Sequence, residues 1–559
     1  MSVYRSPCWV EIPRHITISQ LMQHNIENTA PEKTIFEEAI SGKTVTYGSF
    51  HYQIRTTAQL LRNVVGLQPG QIVSILSSSR IDCILTAHAV WWAGGVVSLI
   101  NNALTVDEIR HAVDMVEPTF IVIDETLFQK LPEVLKISTH DQKRPLQVYT
   151  IGPKSTEWPE LPMGSSSVST IGEPSREEGP WSLDGQRSDE ICAAVLLSSG
   201  TTGSPKAVML SHYNLVAMCN QLRSDNPDNW RGSQREVFFP PLSHVYALYA
   251  VFTTCVWVGA FVCLMPRFDL RRYCQLMQDR KATLARLVPP VAKMLAENPV
   301  VKQYRYPCLE YFSCSAAPLH YVPLLEMASG KFILNLAAAY GCTELSGPSI
   351  HSGVRDVKLP LTAAGTPIAN TEIRFLDEDG KDVGARGPGE ITCRGPNVMM
   401  GYKQAGGGIV KDYFEDGWYR TGDLGYIDND GFLFVYDRIK DVIKYKGFQV
   451  SPSELERILL RHPLVDEAVV IGTWHDDEAT EVPRGFVTLK NKLGLDPAEK
   501  ERFTKSIAEF VDSKVSSYKK LRGGVVILRE LPKNTTGKVL RRELKAWSRP
   551  RAEMGTPRL

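Results

Sequence analysis

Ser198-Ser199-Gly200-Thr201-Thr202-Gly203-Ser204-Pro205-Lys206 stands between the apolar run Ile191–Leu197 and the β-like run Ala207–Leu210. Its glycines let backbone N–H groups converge on an anion, its hydroxyls add donors and its lysine adds a charge. The spacing predicts a phosphate-cradling loop joining two strands. A G-x-x-x-x-G-K-[ST] loop is excluded, because there the lysine adjoins the last glycine and a helix follows at once. Here the helix is expected only from about Ser211, with Leu215, Met218 and Leu222 on one face. A Ser/Gly surface turn is the plainer alternative, but so many constrained positions between two strands speak against it.

Outward from this loop, the region from about 45 to 125 alternates helical stretches with the β-rich runs Ile72–Leu76, Val96–Ile100 and Phe120–Ile123. That alternation predicts an α/β architecture with buried parallel strands. Residues from about 152 to 190 are rich in Ser, Pro, Gly and charge and read as a surface linker. Beyond about Gly365 short strands crowd together (Glu372–Leu376, Gly389–Cys393, Gly431–Tyr436), which predicts a β-rich subdomain. Val245–Pro266 carries no charge and is long enough to span a membrane, yet Thr253, Thr254 and Gly259 interrupt it. It is expected to form a helix over about 245–257 and a buried strand over 260–265, with no membrane span. The first thirty residues show no secretory signal.

The 559 residues are 43% hydrophobic and 9% aromatic, which excludes a mainly disordered chain. With 63 Lys+Arg against 62 Asp+Glu, the net charge of +1 gives no electrostatic ground for nucleic acid. Eleven cysteines lie scattered without a C-x-x-C pair, so neither a disulfide framework nor a zinc site is indicated. Charge is nevertheless uneven. Arg438–Ser548 holds 22 Lys/Arg against 16 Asp/Glu, which suits a small domain closing over a polyanion, an exposed lysine-rich face being the other explanation.

Five further motifs follow in order: Tyr340-Gly341-Cys342-Thr343-Glu344, Tyr419-Arg420-Thr421-Gly422-Asp423, Asp437-Arg438-Ile439-Lys440-Asp441, Lys444-Tyr445-Lys446-Gly447-Phe448-Gln449-Val450 and Pro532-Lys533-Asn534-Thr535-Thr536-Gly537-Lys538. With the phosphate loop they resemble the acyl-adenylate-forming superfamily over about 35–548. Pro241–Leu248, Met265–Phe268 and Ser315–Leu319 are most similar to its 4-coumarate:CoA ligase-like branch. The resemblance implies an α/β fold. A large composite N-terminal domain over 1–437 (two αβ sheets plus the β-rich subdomain) would precede a smaller mobile α+β lid over 438–548 and a tail over 549–559.

It also implies a two-step ligase chemistry with ATP, Mg²⁺ and coenzyme A, in which a carboxylate attacks the α-phosphate and the thiol then takes the acyl group. By resemblance, Ser198, Ser199, Gly200, Thr201, Thr202, Gly203 and Lys206 hold the β- and γ-phosphates. Thr343 donates to the α-phosphate, and Glu344 holds Mg²⁺, which takes carboxylate together with phosphate oxygen. Tyr340, after Ala338 and Ala339, stacks on adenine, and Asp423 with Arg438 takes the ribose hydroxyls. Lys538 bridges carboxylate and α-phosphate. The lid turns about Lys440, bringing Lys446 and Gly447 to pantetheine and Lys444 and Gln449 to the nucleotide phosphate, while Arg267 meets CoA. Taken singly, Asp423 could be a turn residue, Arg438 a surface ion-pair partner, Glu344 a helix cap and Lys440 a solvated linker residue. From its place in the chain, Lys538 is expected just before a helix over Val539–Trp547 with Leu540, Leu544 and Trp547 on one face, where a cation costs about 0.3–1 kcal/mol. That local conflict points to function.

His244, Tyr246 and Ala317 are expected to line the acid pocket, with His244 open to a second reading as a core histidine. No carboxylate occurs over Phe238–Tyr246, so a neutral acyl or aryl tail is favoured over an amino acid. Ala337-Ala338-Ala339 replaces the relatives' usual G-Q-G, which turns the expectation from a phenylpropanoid towards an aliphatic or unusual aryl acid of secondary metabolism. A free-standing acyl-CoA ligase is the first expectation. An adenylating enzyme loading a carrier protein is the second, and a noncatalytic nucleotide-binding relative the third. Pro557-Arg558-Leu559 fits the small/basic/Leu pattern of peroxisomal tails, with proline as a variant first residue. It predicts capture by a peroxisomal import receptor, a cytoplasmic location being the alternative.

Overall fold

Strands β1 (Ile72–Ser77), β2 (Val96–Asn101) and β3 (Phe120–Asp124) run parallel with β1 in the middle, pairing Val73 with Val97 and with Phe120. Buried on both faces, they need the near-continuous apolar runs seen in the sequence. The computed structural model describes residues 3–124, 127, 147–151, 166–167, 178–198, 205–315, 335–352, 360, 363–384, 388–476, 478–490, 496–533 and 538–548. Next to β2 come β4 (Cys192–Ser198) and its antiparallel partner β5 (Lys206–Ser211), in register Lys206 to Ser198. The short strand Gly401–Lys403 then pairs with β5, placing Tyr402 opposite Val208. Helix α1 (His212–Asp225) starts where Ser211 caps it: the Ser211 hydroxyl accepts from the Asn214 N–H at 3.1 Å, and Asn214 Oδ1 accepts from the Ser211 N–H at 2.8 Å. Asn214 Nδ2 also donates to the carbonyls of Pro396 and Val398, fixing the approach to strand Gly401–Lys403.

A second sheet runs Leu284–Leu287, Tyr311–Cys314, β6 (Asn335–Cys342), β7 (Gly347–His351) and Thr366–Pro367. The β6–β7 pair is antiparallel, with Ala339 opposite His351 and an irregularity after Tyr340. Gly341 is obligatory, since a Cβ there would lie 1.9 Å from the Gly347 carbonyl oxygen. The β-rich part contributes β8 (Trp418–Ile427) and β9 (Leu433–Arg438), whose register sets Asp423 opposite Arg438. Val245–Leu264 follows its expectation in outline: helical turns from Val245 to Val258, π-type over Leu248–Thr254, end at Gly259, and the strand Phe261–Leu264 is buried. Among the described residues no helix is long and apolar enough to cross a membrane. The expected linker over 152–190 lies mostly outside the described residues. Its last part is anchored, for the Trp181 N–H donates to the Trp92 carbonyl and the indole packs against Gly94.

The C-terminal part has its own sheet, with Val465–His475 antiparallel to Thr480–Leu489 and Val525–Ile527 parallel to the latter. Helices Pro452–Leu459 and Pro497–Asp512 pack there. A two-residue hairpin joins β10 (Ile443–Tyr445) to β11 (Phe448–Val450). Its core, from Ile443 to Val525, shares no residue with the main core, from Ile12 to Leu433. The fold is α/β, a large N-terminal part of several sheets with a small α+β C-terminal one. One expectation is corrected. The last helix begins at Arg541, not Val539, because Val539 is bridged to Lys533 and the Leu540 N–H donates to the Pro532 carbonyl. Lys538 thus lies three residues before the helix, so the dipole conflict read from the sequence fades. Of its expected apolar face, Leu544 is buried, but Trp547 is 56% exposed.

Candidate active site

Three segments distant in sequence bring their charges to one place. Tyr340 near the end of β6 donates its hydroxyl to Asp423 Oδ2 at 2.8 Å, and Arg438 Nε lies 3.1 Å from Asp423 Oδ1. Asp423 sits on the buried face of β8, where alternate residues Tyr419, Thr421 and Asp423 point inward. Burial pushes its carboxyl above the usual range, with Arg438, the Tyr340 hydroxyl and Lys538 opposing. Lys538 is lowered to about 8, first by burial and next by Arg438, with Asp423 working the other way. Burial also lowers Lys440, opposed by Asp441. His244 is held down to about 4 by burial and then by the charge of Lys538. The residue is exposed, although protein crowds its ring. The second reading of His244 as a core histidine therefore falls. It caps the turn at Val245, accepting from the Tyr246 N–H at 3.2 Å.

A second cluster gathers around Glu344. Its carboxylate is buried and accepts from the Tyr402 hydroxyl at 3.0 Å, and Lys206 Nζ lies over the Tyr402 ring. Thr343 and Glu344 belong to a 3₁₀ turn, so Glu344 caps no longer helix. Asn397 fixes this turn, donating to the Leu345 carbonyl at 3.0 Å and the Ser349 hydroxyl at 2.8 Å, while the Met399 N–H donates to the Glu344 carbonyl. Glu344 offers one carboxylate and no more. Among the described residues no group of three His, Cys, Asp or Glu could hold a metal ion. The donor set fits a hard cation that completes its shell with phosphate oxygens and water.

The remaining expected residues stand apart from these clusters. Lys446 and Gly447 form the β10–β11 turn at φ of 46° and 84°, a left-handed pair that usually takes Asn-Gly, so a lysine there is strained. Lys446 Nζ pairs with Glu478 at 2.9 Å, the Lys444 N–H donates to Glu481, and Gln449 bonds Glu378. Arg267 is exposed after strand Phe261–Leu264. Ser198 is buried at the end of β4, its hydroxyl unpartnered. Ser199–Gly203 and Ala317 lie outside the described residues, and so does the side chain of Ala338, whose backbone pairs with Cys314. Tyr246 is buried against Phe238 and Tyr249.

Behind Tyr246 lies a pair that sequence reasoning missed. Arg286 donates to Glu236 at 2.5 Å with both side chains almost wholly buried, and its guanidinium stacks on Trp230 at 4.4 Å. Trp230 in turn contacts Tyr249. The available signal was Arg286 inside the apolar strand Leu284–Leu287 and Glu236 inside the strand Arg235–Phe238. Glu236 is committed to Arg286, so it leaves no free carboxylate for a substrate ammonium.

Residues 22–403 match the AMP-binding enzyme family, and residues 454–538 match the AMP-binding enzyme C-terminal domain. The chain is 31% identical over 525 residues to probable 4-coumarate–CoA ligase 2 of Dictyostelium discoideum, covering 92% of both chains. It is 32% identical over 545 residues to 4-coumarate–CoA ligase-like 9 of Oryza sativa subsp. japonica, covering 96% of this chain and 93% of that one. Its fold is similar to ATP-bound MatB from Rhodopseudomonas palustris, with a TM-score of 0.79 and 24% identity over 95% of this chain and 98% of that one. Ordered motifs, shared architecture and full-length similarity together place the chain in the acyl-adenylate-forming superfamily, among its 4-coumarate–CoA ligase-like, AMP-forming acyl-CoA synthetases.

Proposed function

We propose that this chain activates a carboxylic acid with a neutral aliphatic or aryl tail as its acyl-adenylate and passes the acyl group to coenzyme A, in secondary metabolism. The observation that carries this is the convergence of Lys538, Arg438, Asp423 and His244 in one cleft. An acid carboxylate and a triphosphate repel each other, and cations held partly out of water are what such an approach needs. In the first step a carboxylate oxygen attacks the α-phosphorus and pyrophosphate leaves. Lys538, as a cation, bridges the two anions, and Thr343 donates to the α-phosphate. Asp423 and Arg438 accept from and donate to the ribose hydroxyls, Tyr340 stacks on adenine, and His244 and Tyr246 border the acid. A magnesium ion held by Glu344 would neutralise phosphate charge.

In the second step the thiol sulfur attacks the acyl carbon and AMP leaves. For this the lid (438–548) turns about Lys440 against the domain of residues 1–437, withdrawing Lys538 and presenting Lys446 and Gly447 to pantetheine, Lys444 and Gln449 to the AMP phosphate, with Arg267 towards CoA. Among the described residues, the contacts that such a turn must release include polar ones: Asp437 with Ser451 and Ser453, Gln449 with Glu378, and Lys293 with Asp466. Strain at Lys446 supports a functional hairpin.

Release of pyrophosphate and AMP over a panel of fatty, aryl and amino acids, with and without CoA, tests this. CoA-dependent AMP release with an aliphatic or aryl acid is expected. AMP release that needs a carrier protein instead would move the acceptor, and no release with any acid would defeat the reading. We further propose that Pro557-Arg558-Leu559 directs the enzyme to peroxisomes through an import receptor. A punctate distribution that survives deletion of these residues would overturn that.

A further inference from the structure

Lys206 opens β5, and its side chain passes between two tyrosines that belong to none of the motifs. Nζ lies 3.9 Å from the ring centroid of Tyr413 and 4.7 Å from that of Tyr402, the two rings standing 5.5 Å apart at 80°. The ammonium also donates a hydrogen bond to the Tyr413 hydroxyl. The Tyr402 ring and the Tyr413 phenol hold a cation in one place while removing part of its water. Each tyrosine is fixed from elsewhere. Tyr402 is set by its pairing opposite Val208, and its hydroxyl is committed to Glu344 at 3.0 Å. The Tyr413 carbonyl accepts from the Arg420 N–H at 2.9 Å, which ties it to β8 and hence to the strand that carries Asp423. A lysine on a flexible four-carbon stem loses much rotational freedom on meeting a phosphate. One that is already clamped loses less, and so binds more tightly.

We propose that Tyr413, with Tyr402, is a positioning residue that holds Lys206 ready for the β- and γ-phosphates of ATP. This rests on the reading of the site as an ATP site. AMP lacks the two phosphates that Lys206 would meet, so the clamp should matter for ATP and pyrophosphate and not for AMP. A purely structural part, acting through Arg420 and β8, would weaken both nucleotides alike.

The test is calorimetric titration of the full chain, wild type, Tyr413→Phe and Tyr413→Leu, with ATP, pyrophosphate and AMP at fixed magnesium and without acid. Tyr413→Leu is expected to weaken ATP and pyrophosphate about tenfold and AMP less than about twofold. Tyr413→Phe, which keeps the ring and loses the hydroxyl, should fall between. Thermal melting of each variant checks that it is folded, and Tyr413→Phe carries the test should the leucine variant fail to fold. Equal loss of ATP and AMP affinity, or unchanged ATP affinity, overturns the assignment while leaving the ATP site standing. A wild-type chain that binds neither nucleotide overturns both.

Discussion

The cleft around Asp423 and the Arg286–Glu236 pair both take charge out of water, but they settle it differently. At the inner pair one cation meets one anion at 2.5 Å, an indole covers the guanidinium and the Cys255 thiol donates to the second carboxylate oxygen. Around Asp423, burial instead pulls both Lys538 and Lys440 below the usual lysine range, Arg438 adding to it at both, while Arg438 and Lys538 oppose the rise of the Asp423 carboxyl. A self-neutralised pair is what a fold keeps, whereas several charged groups gathered with shifted pKa values are where function concentrates. Lys538→Ala should therefore lower acid-dependent pyrophosphate release by about 10²–10³-fold or more, with melting unchanged or raised. It should still form thioester from supplied acyl-adenylate. Equal loss of both half-reactions would show that Lys538 is not specific to adenylation.

Breaking the inner pair should do the reverse. Glu236→Gln leaves a buried guanidinium without its counter-charge and is expected to cost about 3–5 kcal/mol of stability, read by denaturant unfolding. The double change Glu236→Gln with Arg286→Met should recover much of that. ATP affinity of the folded fraction should hardly move. A Glu236→Gln chain that melts like wild type but loses ATP binding would show that the pair belongs to the site after all.

The same contrast explains what the sequence disclosed. Strands β1 to β5 were legible because burial on both faces demands unbroken apolar runs, and α1 because Leu215, Met218 and Leu222 recur on one face. The motif residues Tyr340, Asp423, Arg438 and Lys538 were legible as a set, and the structure brings them together. The clamp on Lys206 was not legible, since Tyr402 and Tyr413 lie some two hundred residues away and reach it through strand pairing that no local pattern encodes. Asn397 was hidden in the same way. The late start of the last helix was missed because a bridge from Lys533 to Val539 overrides helix propensity. Arg286 and Glu236 carried a signal, a charge in mid-strand, that becomes informative only once each is seen to answer the other.

Proton linkage separates the two kinds of site more gently. With Lys538 at about 8 in the free enzyme, kcat/KM for adenylation should fall as pH rises through about 8, by up to about tenfold per unit, because the neutral amine cannot bridge two anions. Lys538→Arg, which stays charged, should lose that limb. Stability should move in the opposite sense, since the unfolded lysine keeps its proton to about 10.4 and so binds more protons than the folded one between about 8 and 10.4. Stability from this group then rises with pH over that window. Histidines act at the other end. His51, His244 and His351 are held near 4, and His88 and His212 near 3, all chiefly by burial. As pH falls from about 6.5 the unfolded chain takes up protons that the folded chain refuses, so stability is lost progressively down to about 4. Each histidine contributes at most about 1.4 kcal/mol per pH unit in that window. His244→Asn should shift the acid midpoint less than His88→Asn or His212→Asn, because those two are held lower and are buried while His244 is exposed. A His244 variant that moves acid stability as far as His88→Asn would place it with the core and not with the site.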